Sequence, residues 1–156
     1  MKKVPTSYIV IPALVFLFTN TCLYFAYNAQ AWLSTLIIPP FTPPYWVMQS
    51  FWHLVNVLAA ISGIQMWETM KRNDTFYMVF GSFFAVMFID IITSYGIYHA
   101  HMLSWAPVFF MVLTALLSVI IGLLWHTLPL AAYLLIPMAV WDAFRVYGFW
   151  MLNQLN

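Results

Sequence analysis

Five long apolar runs follow one another along the chain, separated by breaks that hold most of the charged residues. Each run is long enough to cross the hydrocarbon core of a bilayer as a helix, which takes about 20 residues. We therefore predict five membrane-spanning helices, at about 8–28, 44–69, 76–98, 103–125 and 129–153.

The break between the first two spans, called loop 1 here, differs from the others because it is long and rich in proline. Proline donates no backbone hydrogen bond and has a fixed φ, so Pro39, Pro40 and Pro43 exclude a continuous helix, whereas Pro44 suits the first turn of one. The remaining breaks are short and leave room for one compact bundle. The predicted fold is an all-α membrane protein, a single five-helix domain over residues 1–156 with a proline-rich first loop over one end.

The composition agrees with a membrane protein and narrows its partners. The chain is 65% hydrophobic and 6% charged, whereas soluble domains are about a quarter charged. This composition makes the lipid bilayer the expected environment. A net charge of +1 is too small to indicate a nucleic-acid partner. The single cysteine, Cys22, allows no internal disulfide and no cysteine cluster for a metal.

The positions of lysine and arginine predict the orientation in the membrane. Lys2 and Lys3 precede the first span, and Lys71 and Arg72 follow the second, which places both pairs on one side. Loop 1, the loop between spans 3 and 4 and the carboxyl-terminal tail hold neither residue type. We predict a cytoplasmic amino terminus, with loop 1 and the carboxyl terminus on the opposite side.

Polar side chains inside the spans are costly in hydrocarbon and usually face the bundle interior. At 1.5 Å per residue, Trp52, Asp90 and Arg145 each lie about 12 Å from the loop-1 end of their span. This convergence predicts a binding site beneath loop 1. The neighbouring polar or aromatic residues are Gln49, His53 and Asn56 in span 2, Thr93 and Ser94 in span 3, and Trp141 and Asp142 in span 5.

Two segments, the proline- and tryptophan-rich residues 32–52 and residues 134–144 of the fifth span, resemble the translocator protein family, also called TspO, tryptophan-rich sensory protein or peripheral-type benzodiazepine receptor. The fifth span is similar to the family's fifth-helix motif, with LLIPMAVWDAF over residues 134–144 and its tryptophan at Trp141. Chain length, the five runs and the long first loop also match, so the resemblance implies a five-helix bundle with a cavity roofed by loop 1. The residues of the first segment are Trp32, Pro39, Pro43, Pro44, Trp46 and Trp52.

The resemblance also implies a function. Members bind porphyrins and haem-like tetrapyrroles, animal members bind cholesterol and isoquinoline or benzodiazepine drugs, and some bacterial members promote light-dependent porphyrin breakdown. We therefore expect a receptor, sensor or carrier for a tetrapyrrole or related amphipathic molecule, with porphyrin or haem as ligand and no required cofactor. Two alternatives stay open: a porphyrin-degrading photo-oxidative enzyme, and a small-molecule or ion transporter that uses Asp90 and Arg145. Family positions expected to line the cavity are Trp32, Pro43, Trp52 and Trp141, and the added polar positions are Asn56, Asp90, Ser94 and Arg145.

The chain departs from the usual family pattern at four positions. Asp90 stands where an asparagine is usual and Arg145 where a small residue is usual. Leu33 replaces a common tyrosine, and Asn56 replaces a common aromatic residue. We therefore expect a more polar and charged pocket, which argues against sterol and drug-like ligands.

Asp90 and Arg145 carry opposite charges on different spans, so they are predicted to pair. Asp142, three residues before Arg145, is a competing partner. Arg145, held in this way, can present its planar guanidinium to a ligand carboxylate such as a porphyrin propionate. The alternative is a buried ion pair that stabilises helix packing and contacts no ligand.

The remaining chemistry-bearing residues indicate neither catalysis nor a metal site. The chain has no phosphate-binding glycine loop and no supported nucleophile–histidine–acid set. His99 and His101 are two residues apart, a spacing too common to indicate a metal. Only His53 is retained, as a conceivable axial haem ligand.

One pattern in span 3 concerns assembly. Gly81 and Ala85 are four residues apart, and small residues at this spacing let two helices approach closely. We predict a homodimer through this helix, with close packing inside a single bundle as the alternative.

Overall fold

The computed structural model describes residues 5–156, so Lys2 and Lys3 lie outside the described residues. All regular elements in this part of the chain are helical. A π-helical turn, Tyr95–His99, extends α4, and a 3-10 turn, Leu103–Trp105, leads into α5. The six α-helices are α1 (Ser7–Asn28), α2 (Gln30–Leu33), α3 (Tyr45–Thr69), α4 (Asp74–Ser94), α5 (Ala106–Leu124) and α6 (Pro129–Leu155).

Five helices are long and apolar enough to cross a membrane: α1, α3, α4 with its π-helical turn, α5 with its 3-10 turn, and α6. Large apolar side chains such as Phe16, Leu17 and Phe88 are exposed on the outside of the bundle, where they would contact lipid. The predicted five-helix membrane fold is therefore confirmed, and the chain is an integral, multi-pass membrane protein.

The five spanning helices form a ring in which each packs mainly against two others. Helix α1 contacts α3 and α4, α5 contacts α4 and α6, and α6 closes the ring against α3. Gly63 permits close contact between α3 and α1, because a β-carbon there would lie 3.0 Å from Ile11 Cγ2. Between α3 and α6, the Ser62 hydroxyl donates a hydrogen bond to the Ala131 carbonyl over 2.9 Å.

The half of the ring away from loop 1 is filled by side chains. Met66, Val79, Phe83, Leu117 and Leu124 are almost completely buried there and belong to one continuous apolar core. Interiors packed in this way leave few voids larger than a water molecule. A cavity of ligand size lies in the other half, towards loop 1, and a smaller pocket of about 230 Å³ lies between α1 and α4 near Trp67.

Loop 1 ends where its prolines predict. Helix α3 begins at Tyr45, and Pro44 precedes it with an extended ψ of 145°. Two contacts hold the loop: the Trp32 ring stacks on His101 at 4.3 Å, and Asn156 bonds the backbone of Ile37. Loop 1, the α4–α5 connection and the end of α6 therefore share one end of the bundle, while the side of the membrane that they face stays a prediction.

The opposite end holds the exposed basic residues. Arg72 places its guanidinium carbon 4.1 Å from the centre of the Trp67 ring and 4.0 Å from that of Phe76. The Asn73 side chain caps α4 by accepting a hydrogen bond from the Phe76 amide over 3.0 Å. This end is therefore well ordered by local contacts and lies far from loop 1.

Gly81 and Ala85 both lie on the exposed face of α4. A β-carbon added at Gly81 would meet no atom within 4 Å. Close packing inside the bundle therefore does not explain this glycine, and the homodimer stays a prediction.

Candidate ligand-binding site

A cavity of about 440 Å³ occupies the loop-1 half of the bundle. Side chains from loop 1, α1, α3, α6 and the end of α4 form its walls, and most of them are apolar. Pockets of about 300–1,000 Å³ with mainly apolar walls are typical of small-molecule sites. Its larger lining residues include Leu33, Phe41, Met48, Trp52, Trp141 and Phe149.

Two tryptophans line the cavity from neighbouring helices of the ring. Trp52 on α3 is buried, and the Trp141 ring on α6 contacts the rings of Phe51 and Phe144, with ring centres 4.9 Å and 5.6 Å away. The indole nitrogen of Trp141 is buried and has no hydrogen-bond acceptor among the described residues. The walls therefore offer aromatic faces for stacking and one unused donor.

Arg145 is the only cationic side chain among residues 5–156 that lines this cavity. Its Nη1 donates to Asp142 Oδ1 over 3.1 Å and to Asp90 Oδ1 over 3.4 Å. Its guanidinium carbon lies 4.7 Å from the Trp52 ring centre and 3.8 Å from that of Phe110. Both pairings that the sequence left open are thus present, and we call Asp90, Asp142 and Arg145 the charge cluster.

The charge cluster leaves part of the guanidinium unused. All hydrogen bonds that Arg145 donates to described residues come from Nη1, so Nε and Nη2 remain as donors at the cavity wall. Arginine stays protonated in proteins, and its planar fork matches a carboxylate. The arrangement can therefore bind an acidic group of a ligand whose remaining surface is flat and apolar.

Five of the eight predicted site residues line the cavity: Pro43, Trp52, Ser94, Trp141 and Arg145. The convergence of Trp52, Asp90 and Arg145 at one depth is confirmed by their contacts. The cavity therefore lies at the end and depth of the bundle where the sequence predicted a site, and its role in ligand binding stays a prediction.

The other three predicted residues lie outside the cavity lining. Trp32 stacks against His101 instead of facing inward. Asn56 is buried one turn below Trp52 and donates to the Trp52 carbonyl over 2.8 Å. Asp90 lies behind Arg145 and Cys22, which both line the cavity and contact it. Their influence on a ligand would therefore be indirect.

The prediction that His53 shares the interior face of α3 is wrong. The buried stripe of this helix runs through Trp52, Val55 and Ala59, and His53 points away from it and is exposed. A spacing of four residues placed His53 on the same side of the helix as Gln49. The buried side of α3 is centred on Trp52, Val55 and Ala59 instead, so His53 lies outside it. His53 therefore cannot serve as an axial haem ligand within this cavity.

Many of the lining residues were missed by the sequence reasoning, and two of them, together with Phe110, bear on the charge cluster. Cys22 lines the cavity, and its thiol lies 3.9 Å from Asp90 Oδ2. The buried positions of α1, spaced three or four apart and ending at Cys22, carry a helical signal that could have found it. Tyr98 also lines the cavity, and Phe110 packs on Arg145, but no sequence pattern distinguished either residue.

No group of three or more histidine, cysteine or acidic side chains among residues 5–156 could hold a metal ion. The acidic side chains of the charge cluster are already bonded to Arg145.

The fold and the cavity define a class: a polytopic α-helical membrane protein with a ligand-sized aromatic pocket beneath one loop. The model of the TspO/MBR family matches residues 8–154, nearly the whole chain. The chain therefore belongs to the TspO/MBR family. No curated protein gives a significant match. Family membership supports, in general terms, a receptor, sensor or tetrapyrrole-binding role in the membrane.

Proposed function

We propose that this protein is a membrane receptor or sensor that binds a carboxylate-bearing tetrapyrrole, such as a porphyrin, in the cavity under loop 1. One observation carries the proposal: the guanidinium of Arg145, with unused donors, is the only cation that the described residues place in a cavity with several aromatic rings in its walls. A porphyrin combines a flat apolar ring with acidic side groups, which is the chemistry these walls complement.

The contacts suggest how the ligand would be held. Trp52 and Trp141 would stack on the ring, since aromatic pairs favour offset or edge contacts at about 4.5–7 Å. A propionate would accept hydrogen bonds from Nε and Nη2 of Arg145. Loop 1, anchored through Trp32 and Ile37, would act as a lid over the bound molecule.

The filled half of the bundle favours binding over passage. Met66, Phe83 and Leu117 occupy the interior below the cavity, so a continuous path across the described residues would require the helices to separate. A carrier or transporter would show flux of the ligand across proteoliposomes, whereas the proposed receptor would show none.

The test is a titration of the purified protein with protoporphyrin IX in the dark, following tryptophan fluorescence and porphyrin absorbance. Gly148→Phe is the informative variant, because Gly148 lines the cavity and a β-carbon added there would meet no atom within 4 Å. The added ring should occupy part of the cavity. Gly122→Phe, at an exposed and equally open position of α5, is the matched control.

The expected result is saturable quenching in the wild type and in Gly122→Phe, with at least a tenfold loss of affinity in Gly148→Phe. Unchanged affinity in Gly148→Phe would locate the ligand elsewhere. Absence of saturable quenching in the wild type would reject a porphyrin as the ligand.

A second candidate function is light-dependent oxidative breakdown of the bound porphyrin, with dioxygen as oxidant. It is favoured by the presence of two tryptophans, Trp52 and Trp141, in the cavity wall. Illumination of the complex should then remove the porphyrin absorbance in the wild type and in Trp105→Phe, whose tryptophan is exposed outside the cavity. The loss should stop in Trp52→Phe and Trp141→Phe. Equal rates in all four proteins would mean that the protein contributes no chemistry.

A further inference from the structure

The charge cluster contains one more negative group than positive groups. Arg145 is the only lysine or arginine inside a spanning helix, since Lys71 and Arg72 lie between α3 and α4 and the other two precede α1. Its guanidinium stays protonated, so the cluster carries a formal charge of −1 when Asp90 and Asp142 are both ionised.

No described residue around the cluster supplies a compensating cation. The titratable groups near the cluster are the thiol of Cys22 on α1 and the phenol of Tyr98, which in turn lies near that of Tyr45. These groups are neutral when protonated. From α3 and α5 the cluster meets the apolar rings of Trp52 and Phe110.

Burial makes this imbalance costly. The side chains of Arg145, Asp90 and Asp142 are only 11%, 6% and 2% exposed. Coulomb energies rise as the effective dielectric falls, so each unbalanced charge costs more here than at a surface. Both carboxylates also share one nitrogen, Nη1, and therefore compete for the same donor.

We propose that the charge cluster has one site for an exchangeable proton. Binding of a ligand carboxylate to Arg145 is coupled to uptake of a proton at this site. The inference rests on the proposed function for its ligand. A carboxylate at Nε and Nη2 brings a third negative charge to a single cation. Neighbouring like charges favour protonation of one member, so one proton moves from solvent to a carboxyl oxygen of Asp90 or Asp142.

The charges and atoms balance in this step. Ligand carboxylate, cluster and one proton combine, no covalent bond other than O–H forms, and nothing is oxidised or reduced. The proton belongs to the pair of carboxyl groups, because two strongly interacting sites titrate together.

The sign of the pH dependence follows from linkage. The complex holds one proton more than the free protein at alkaline pH, so affinity should fall about tenfold for each pH unit gained there. At acid pH the free cluster already holds the proton, and affinity should become constant. A pocket that uses Arg145 as a simple cation would show no such slope.

The experiment is calorimetric titration of the full chain in detergent with protoporphyrin IX, between about pH 6 and about pH 9. Two buffers with different ionisation heats are compared at the alkaline end to count protons. The dimethyl ester of protoporphyrin, which has no carboxylate, is titrated in parallel. We expect uptake of about one proton with the acid and none with the ester.

Asp90→Asn separates this coupling from simple packing effects, because it removes one negative charge and nearly preserves side-chain shape. This variant should take up no proton on binding. Its affinity for protoporphyrin IX should stay, over the whole pH range, at the value that the wild type reaches at acid pH. Asp74→Asn makes the same change at the exposed start of α4 and should behave as the wild type. Uptake that persists in Asp90→Asn would mean that it does not depend on the second carboxylate of the cluster, and would overturn the inference.

Two other outcomes have distinct meanings. Porphyrin binding with constant affinity and no proton uptake would refute the coupling and leave the proposed function intact. If neither porphyrin nor ester binds, the proposed function fails, and the cluster is tested alone by infrared titration of the free protein. A carboxyl C=O band should then appear on acidification in the wild type and be lost in the Asp90→Asn, Asp142→Asn double variant; its absence in the wild type would also overturn the inference.

Discussion

Arg145 contacts side chains on four of the five spanning helices. It bonds Asp142 on its own helix and Asp90 on α4, and it packs on Trp52 of α3 and Phe110 of α5. The sequence predicted an ion pair but could not choose the partner, because a spacing of three residues and a facing helix are both compatible with contact. The structure uses both partners.

Removal of this cation should destabilise the fold strongly. We expect Arg145→Leu to lower the free energy of unfolding by about 3–5 kcal/mol, because two buried carboxylates lose their only positive partner. The triple variant with Asp90→Asn and Asp142→Asn should recover most of the loss, since no unpaired charge remains. Denaturation in mild detergent measures both values, and wild-type stability in Arg145→Leu would contradict the expectation.

At the scale of elements, loop 1 is held by contacts that its own sequence does not reveal. The prolines explain why α3 starts at Tyr45. They do not explain why the loop stays in place. The Asn156 side chain accepts from the Ile37 amide over 2.9 Å and donates to the Ile37 carbonyl over 3.2 Å, across more than a hundred residues. No local pattern predicts such a pairing.

Loss of this pairing should loosen loop 1 without unfolding the bundle. Each hydrogen bond contributes about 0.5–1.5 kcal/mol, so Asn156→Ala should speed amide exchange at Ile37 roughly tenfold. Asn156→Asp keeps an acceptor for the Ile37 amide but loses the donor, so its exchange rate should be intermediate. Hydrogen–deuterium exchange measures the Ile37 rate in both variants, and the amide of buried Met66 serves as an unaffected reference. Equal Ile37 rates in the wild type and both variants would refute a role of Asn156 in holding loop 1.

The whole molecule is filled at one end and hollow at the other. Small residues and tight contacts close the half near Gly63 and Ser62, whereas the aromatic walls around Trp52 and Trp141 leave a cavity. The exposed basic residues Lys71 and Arg72 lie at the filled end. The positive-inside tendency therefore predicts that the cavity opens away from the cytoplasm.

This orientation is testable by labelling single cysteines in a Cys22→Ala background. Thr35→Cys in loop 1 should react with a membrane-impermeant maleimide in intact cells. Thr69→Cys, at the end of α3, should react only after the membrane is opened. Both positions are exposed, so the reverse pattern would mean the opposite orientation.

Assembly is the second prediction at this scale. If two copies meet through Gly81 and Ala85, Gly81→Ile should weaken dimerisation by at least tenfold by preventing close approach. Gly122→Ile places the same side chain on another open, exposed helix face and should leave the oligomeric state unchanged. Sedimentation in detergent measures both; a monomeric wild type would end the hypothesis.

The sequence alone determined the number of spans, the break before α3, the family resemblance and the depth of the polar residues. These properties are local, because apolar run length, proline geometry and residue spacing are read directly along the chain. Five of the eight predicted cavity positions followed from them.

Only the tertiary structure decided how each helix is rotated about its axis, and therefore which side chains face the cavity. It placed His53 and Trp32 away from the cavity, brought Cys22 and Phe110 to the charge cluster, and joined Asn156 to loop 1. In a membrane, lipid-facing and interior-facing surfaces are both apolar, so hydrophobic periodicity determines helix rotation weakly. Rotation and long-range contact are settled by packing between helices.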